Sequence, residues 1–260
     1  MTTSSASGCS RDHHDGPPDH FDLRSFGRRR GRKLSPRQTR LITELLPRVA
    51  VDLNAAAETQ LADRSSKLWL EIGFGGGEHL IWQAEHNPGV TVIGCEPFED
   101  GMVKVLAAID ERNLTNIRIH PDDARAVLRW LPDASLDRAF VLFPDPWPKA
   151  KHRKRRLVNG VTLALLARAM KPGAELRLAT DIGDYARTML VALQAVPELQ
   201  WMATRADDWR YRADDWPETR YERKAVREGR RSSYLRFRRV GGTAAGEAQS
   251  SATLPAVTRA

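Results

Sequence analysis

The sequence predicts an α/β fold: a doubly wound, mostly parallel sheet with helices on both faces. Three observations predict it. Short apolar runs of strand length alternate with helical patterns between residues 67 and 240. The first run ends in a glycine cluster that opens directly into a helical pattern. Acidic residues stand at the ends of the first three runs, and ligands of such sheets bind outside the carboxyl ends of the strands.

The chain has 260 residues, enough for one such domain with an extension at each end. Hydrophobic residues make up 41%, which excludes a disordered chain. Forty-one Lys and Arg against 33 acidic residues give a formal charge of +8, a balance that suits a polyanion such as nucleic acid or an acidic membrane surface. The two cysteines, Cys9 and Cys95, build no disulfide framework, and no Cys/His cluster has zinc spacing. His13 and His14 fall in a polar leader and read as a solvated tail, so no metal is expected. No run approaches the ~20 apolar residues of a membrane span, and the N-terminus lacks the apolar core of a signal peptide. A cytoplasmic protein without membrane contact is expected, as a monomer or a homodimer.

Residues 1–22 read as a disordered leader, 23–66 as a basic arm and helix, 67–240 as the α/β domain, and 241–260 as a disordered tail. Within the domain, Lys67–Ile72 and Val90–Cys95 read as buried strands, followed by helices over 78–87 and 98–112. A short strand over Ile117–His120 precedes a helix over 124–131. A fourth strand covers 136–143. An apolar helix over 158–170 is closed by Lys171-Pro172-Gly173. A fifth strand over 174–179 and a helix over 185–195 follow. Trp201 marks a sixth strand, and 233–240 a seventh with arginines on one face.

The glycine cluster reads Leu70-Glu71-Ile72-Gly73-Phe74-Gly75-Gly76-Gly77. Glycines such as Gly73 and Gly75 let the backbone turn sharply and approach a ligand. Dinucleotide sites want G-x-G-x-x-G, with pyrophosphate at the helix N-terminus. Here the spacing is G-x-G-x-G, and Glu71 would repel a pyrophosphate but attract the ammonium of a methionine moiety. This favours S-adenosyl-L-methionine over a nicotinamide cofactor; a merely structural turn stays open. Glu96, about 20 residues on, can accept from both hydroxyls of a ribose. Asp123, after the third strand, can accept from an adenine amino group or simply cap the next helix.

After the fourth strand comes Phe143-Pro144-Asp145-Pro146-Trp147-Pro148. The prolines restrict the backbone around Asp145, and a rigid carboxylate beside an aromatic ring suits a flat, hydrogen-bonding base. Trp147 reads equally as a stacking partner or as core. The block resembles the Asp/Asn-Pro-Pro-aromatic motif of amino methyltransferases. Lys149, Lys151, His152, Arg153, Lys154, Arg155 and Arg156 then form a basic run inside the domain, placed to neutralise phosphates. A second basic block, residues 28–33, reads as an RNA arm or as a solubilising linker.

Together these pieces resemble the bacterial tRNA (guanine-N7)-methyltransferase family. The matching residues are Arg24-Ser25-Phe26 with Gly31-Arg32, LEIGFGGG, GCEP, the aspartate after the third strand, FPDPWPKAKHRKRR, Ala179-Thr180-Asp181 and Thr219-Arg220-Tyr221-Glu222. They span residues 23–240. The resemblance implies a Rossmann-like class I methyltransferase fold with a seven-stranded sheet, and methylation of the variable-loop guanosine at tRNA position 46. It implies that Glu71, Glu96, Asp123 and Asp145 contact the cofactor or line its pocket, and that Asp145 is the catalytic aspartate. It further implies that Lys149, Asp181, Thr219, Arg220, Tyr221 and Glu222 bind substrate, and that residues 150–155 meet RNA. The residues by themselves leave open a methyltransferase acting on another RNA or on protein, and a non-catalytic RNA-binding module. A nicotinamide dehydrogenase is disfavoured by the glycine spacing.

Overall fold

The computed structural model describes residues 26, 27, 29–31, 33–61 and 67–241. The leader, the residues Arg24, Ser25, Arg28 and Arg32, and all but the first residue of the tail lie outside the described residues.

The N-terminal helical segment starts at Ser35, whose side chain accepts from the Gln38 amide while the Gln38 side chain accepts from the Ser35 amide. This reciprocal cap satisfies two donors left unpaired at a helix start. The segment runs as α1 (Pro36–Arg40), a π-helical turn (Leu41–Leu45) and α2 (Leu46–Val49). Pro47 explains the wide turn: it has no N–H to give, and its ring crowds the turn before it. Beyond α2, Ala50 bridges Ile119 in parallel, adding a short pairing to the sheet edge. A single turn, α3 (Ala57–Gln60), follows.

The domain then reads β1 (Lys67–Ile72), α4 (Glu78–His86), β2 (Val90–Cys95), α5 (Glu99–Arg112), β3 (Ile117–His120), α6 (Ala124–Trp130) and β4 (Leu136–Leu142). A 3₁₀ segment (Ala150–Arg155), α7 (Gly160–Ala169), β5 (Met170–Thr180), α8 (Gly183–Gln194) and β6 (Leu199–Trp201) come next. The chain ends with α9 (Asp207–Arg210), α10 (Arg220–Arg227) and β7 (Ser233–Arg239). The seven strands lie in the order β3-β2-β1-β4-β5-β7-β6. All pairings are parallel except those of β7, which runs antiparallel to β5 and β6. The predicted doubly wound, mostly parallel fold is therefore the observed one.

Strand alternation builds two cores, one on each face. On β1, Leu68, Leu70 and Ile72 join Val127 and Leu128 of α6, Leu163 and Leu166 of α7, and Met189 of α8. Trp69 points the other way, to Leu80 of α4, Leu106 of α5, Phe140 of β4 and Leu41 of the N-terminal segment. The arrangement is a sheet between two helical layers.

Beyond shifts of a few residues at element ends, the structure departs from expectation in three places. Lys171-Pro172-Gly173 belongs to β5 rather than to a helix stop: α7 ends at Ala169, Gly173 takes φ +86°, and the pairing with β4 shifts register between Leu136 and Arg138. The arginines of β7 do not share one face. Arg236 and Arg238 alternate with Arg239, whose Nε donates to the Ala167 carbonyl. Finally, residues 219–222 open a helix.

Candidate active site

The chain leaves β1 towards β2 and β3, then returns on the other side as β4, so the strand order reverses at β1. Such a switch point opens a crevice at the strand ends. Here it holds a cavity of about 780 Å³.

Gly73 and Gly75 line the cavity, with φ +74° and +55°. A Cβ on Gly73 would meet nothing within 4 Å, so only glycine leaves that space free. A Cβ on Gly75 would come within 2.7 Å of the Tyr221 hydroxyl, and one on Gly76 within 2.6 Å of the Arg220 guanidinium. The glycine turn thus does two things: it opens the cavity on one side and lets the start of α10 settle on the other.

Glu96 lines the cavity at the end of β2. Its two oxygens accept from the Gly75 amide at 2.7 Å and the Phe98 amide at 2.9 Å. A carboxylate has about four acceptor positions, so each oxygen keeps one. Burial raises the Glu96 carboxyl above its ordinary range; the Phe98 and Gly75 amides counter this in part, and the charges of Asp145 and Glu71 add to it. Asp123 also lines the cavity, and it caps α6 by accepting from the Arg125 amide at 2.9 Å. The Arg125 guanidinium chelates it at 2.9 and 2.7 Å. Burial acts to raise Asp123, but Arg125 outweighs burial and holds it low. Both sequence readings of Asp123, cap and cavity wall, coexist.

Glu71 is placed differently. It is buried, does not line the cavity, and sets Oε2 2.7 Å from Nδ1 of His79 on α4. His79 Nε2 meets the Gln83 amide nitrogen, which donates to the Asp215 carbonyl at 2.9 Å. The acid before the glycines is tied into a buried chain towards the loop before α10.

Asp145 lines the cavity at the end of β4 as an exposed residue, and the partial shielding of its carboxyl by the cavity wall raises it. Among the described residues it has no ion-pair partner. Phe143 and Trp147 on either side hold φ of +51° and +42°, a region costly for non-glycine residues and concentrated at functional sites. Two contacts fix this turn. The Phe143 amide donates to the Ala179 carbonyl at 2.8 Å, and Arg156 Nε donates to the Pro146 carbonyl at 2.9 Å.

The basic run divides. Arg156 is buried; it also binds Thr188 Oγ1 and Asp184 Oδ2, each at 2.6 Å, and lies over the Tyr185 ring. Lys149, Lys151, Arg153 and Lys154 are exposed. Lys154 and Arg155 line the cavity. The Arg155 guanidinium lies 4.8 Å from the Phe26 ring and 5.0 Å from that of Trp147, and His152 meets Trp147 edge-on. Phe26 and Gly27 of the arm also line the cavity, while Arg29 grips Asp122 with both guanidinium nitrogens.

Of the expected substrate residues, Tyr221 lines the cavity. Thr219 caps α10 through the Glu222 amide, and Glu222 is buried, accepting from Tyr234 Oη at 2.6 Å and Arg212 Nε at 3.2 Å. Arg220 reaches Glu78, and Asp181 accepts from Arg230 Nε at 2.7 Å. Lys149 precedes the 3₁₀ segment outside the cavity. Sequence reasoning placed Arg156 among the phosphate-neutralising residues, whereas Arg156 is buried under the Pro146 turn; that reasoning assigned no role to Phe143 and no helix to residues 220–227. The Thr219-x-x-Glu222 spacing is a capping signature that marks α10; nothing in the basic run distinguishes Arg156 from its neighbours. Among the described residues no cluster of His, Cys, Asp or Glu is arranged to hold a metal ion, and no helix is long and apolar enough to cross a membrane.

Comparison with known proteins converges on one family. The family model described as "Putative methyltransferase" matches residues 65–235. The chain is 45% identical over 227 residues to a tRNA (guanine-N(7)-)-methyltransferase from Chelativorans sp. (strain BNC1), covering 86% of this chain and 98% of that one. It is 49% identical over 206 residues to the protein of that name from Hyphomonas neptunium, covering 78% and 94%. Among solved structures, the 16S rRNA methyltransferase KamB aligns with TM-score 0.53 at 20% identity over 72% of this chain and 95% of KamB, a likeness of fold alone. With a matching family model over most of the domain and near-half identity over almost the full length of such relatives, this chain belongs to the tRNA (guanine-N(7)-)-methyltransferase family.

Proposed function

We propose that this chain transfers a methyl group from S-adenosyl-L-methionine to N7 of a guanosine in tRNA, the variable-loop guanosine at position 46. It would work in the cytoplasm. The observation that carries the reading is the switch-point cavity with Glu96, Asp123 and Asp145 on its wall, in a chain so close to proteins of that named activity.

The residues fit the cofactor. The space in front of Gly73 would be filled by any side chain. Glu96 keeps acceptor positions for a ribose, and Oδ2 of Asp123, which takes one bond from Arg125, would accept an adenine amino group at its second position. When bound, S-adenosyl-L-methionine supplies a methyl group on a positively charged sulfur. Guanine N7 has a lone pair and no proton. A methyl group passed from a sulfonium to that lone pair would release no proton, so the residues of this chain need supply no general base. Positioning then carries most of the rate. Asp145 holds the base through its imino and amino hydrogens and offsets the positive charge that passes to the purine. Lys149, Lys151, His152, Arg153, Lys154 and Arg155 neutralise tRNA phosphates beside the cavity. Glu71 acts from behind the glycine turn, through His79, and Thr219 and Glu222 hold α10 so that Arg220 and Tyr221 face the acceptor. Asp181, through Arg230, fixes the end of β5 beside them.

Purified protein, labelled S-adenosyl-L-methionine and unmodified tRNA transcripts test this, with nucleoside mass spectrometry and site mapping. 7-Methylguanosine in the variable loop is expected. A methylated nucleoside of another kind would overturn the acceptor, and methylation of protein or ribosomal RNA instead of tRNA would overturn the substrate.

A further inference from the structure

Phe143 on the cavity wall has no role so far, and Tyr221, which faces the acceptor, stands opposite it. Phe143 and Tyr221 both line the cavity, their rings are nearly parallel at 19°, and their centroids stand 6.3 Å apart. Stacked bases repeat at about 3.4 Å, so one planar base between two parallel rings needs about 6.8 Å. The centroid distance caps the spacing of the two ring planes at 6.3 Å, so the rings must part by at least about half an ångström to admit a base.

Both rings are held in place, Tyr221 with the Arg220 guanidinium 5.1 Å from its centroid. Phe143 takes φ +51°, a conformation bulky side chains avoid, and its amide is pinned to Ala179. A strained residue persists where the surrounding structure over-determines it, and such strain gathers at ligand clamps. Tyr221 is 39% exposed although its ring is large, and its hydroxyl occupies the space that a side chain at Gly75 would fill. Trp147, the aromatic the sequence singles out, is engaged by Arg155, Phe26 and His152.

We infer that Phe143 and Tyr221 form the two walls of a slot that grips the acceptor purine face to face beside Asp145. The inference rests on the acceptor being a guanine, as proposed above. An aromatic face carries negative charge density and attracts cations. As N7 gains the methyl group, the positive charge leaves sulfur for the purine. The slot therefore holds the methylated, cationic ring more tightly than the neutral one, and stabilises the charge as it develops.

Two measurements test it: kcat/KM with tRNA transcripts, and emission of a tRNA carrying 2-aminopurine in place of the mapped acceptor guanosine. Tyr221→Leu sits on an exposed face and preserves bulk. It is expected to lower kcat/KM by roughly 10- to 100-fold, the range of one lost base–aromatic stack. Tyr221→Phe, which keeps the ring, recovers most of that loss. Phe143→Leu behaves as Tyr221→Leu does. The 2-aminopurine, quenched in complex with the wild-type chain, brightens with Tyr221→Leu. Unchanged kcat/KM and unchanged emission, with 7-methylguanosine still formed, would overturn the slot and leave the proposed reaction standing. Absence of 7-methylguanosine with the wild-type chain would overturn both. A loss that Tyr221→Phe does not recover would assign the effect to the hydroxyl and overturn stacking.

Discussion

Glu175 and Asp215 sit among guanidinium groups, whereas Glu96 and Asp145 face a cavity with no cation paired to either among the described residues. On the first side, Glu175 accepts from Arg177 at 3.0 Å and from Arg236 at 2.5 Å, and Asp215 holds both nitrogens of the Arg177 fork at 2.8 and 2.9 Å. Burial acts to raise both carboxyls, but Arg177, with Arg236 at Glu175 and Arg138 at Asp215, outweighs it and holds them low. On the other side burial wins, and both carboxyls are raised. Acids paired with arginine reinforce a fold. Cavity acids that pair with no cation among the described residues are poised for a ligand that brings positive charge, and such perturbed groups cluster at functional sites.

Asp145 offers the sharpest test of this contrast. Asp145→Ala is expected to lower turnover roughly 10²- to 10³-fold, the range for losing one preorganised electrostatic contact at a transition state. Stability should move the other way. The folded pKa of Asp145 lies above its unfolded value, so the native state binds more protons between the two. Stability contributed by this group is fully present below the unfolded pKa and is lost as pH rises through the folded one. Asp145→Asn removes that cost, so its melting temperature at pH 7 should equal or exceed that of the wild type. The gap should close in acid. A lower melting temperature at pH 7 would place Asp145 among the structural acids instead. Turnover of the wild type should also fall in acid from a higher pH than an ordinary aspartate would give.

Arg177→Met probes the paired side. It takes one guanidinium from Glu175 and Asp215, leaving them Arg236 and Arg138, and removes that guanidinium from beside the buried Trp216. Breaking one partner of a buried charge network costs about 3 kcal/mol. Glu175 and Asp215 have depressed folded pKa values. Their contribution is present above the unfolded carboxylate pKa and is lost as pH falls through the folded values. The variant should therefore lose stability most at neutral pH and converge with the wild type in acid. Urea unfolding at two pH values reads this directly, and an equal deficit at both would exclude the ion pairs as the cause.

The same contrast explains what could be read before the structure. Strand and helix periods, the glycine turn, and the acids Glu96, Asp123 and Asp145 follow from local rules, because each stands at a strand end fixed by alternation. What failed to show was every partnership across the chain. Glu71 looks like a cavity acid in sequence, yet its carboxylate is taken by His79 one helix later. Arg156 looks like one of seven basic neighbours, yet it is the one buried under the Pro146 turn. Phe143 follows β4 as an ordinary apolar residue; its positive φ runs against the extended backbone that a following proline favours, so no local rule announces it. Pairings between residues tens of positions apart carry no local signature.

Gly75→Ala sits where the cavity and the α10 contact share one residue. Its φ of +55° and the Tyr221 hydroxyl 2.7 Å from the added carbon both oppose the methyl group. The destabilisation should exceed about 1 kcal/mol, because alanine at positive φ loses more than it gains in the unfolded chain. Since Glu96 also accepts from the Gly75 amide, cofactor affinity should weaken with it. Calorimetry of S-adenosyl-L-methionine binding beside a melting curve separates the two effects; intact affinity in a destabilised variant would confine Gly75 to packing.

The smallest effect distinguishes neighbours within the basic run. Lys151 and Lys154 are exposed, and neither forms an ion pair among the described residues. Each that meets a phosphate releases counterions on binding, so its loss flattens the plot of log affinity against log salt by about one unit. A unit of slope is about a fourfold change in affinity between 50 and 200 mM salt. Lys151→Ala and Lys154→Ala should show it with unchanged melting temperatures. Arg156→Ala should do the reverse: its guanidinium is committed to Pro146, Thr188 and Asp184, so stability and turnover fall while the slope stays. A slope change with Arg156→Ala equal to that of the lysines would mean that the buried guanidinium reaches the tRNA, and the division of the run into anchor and phosphate contacts would fail.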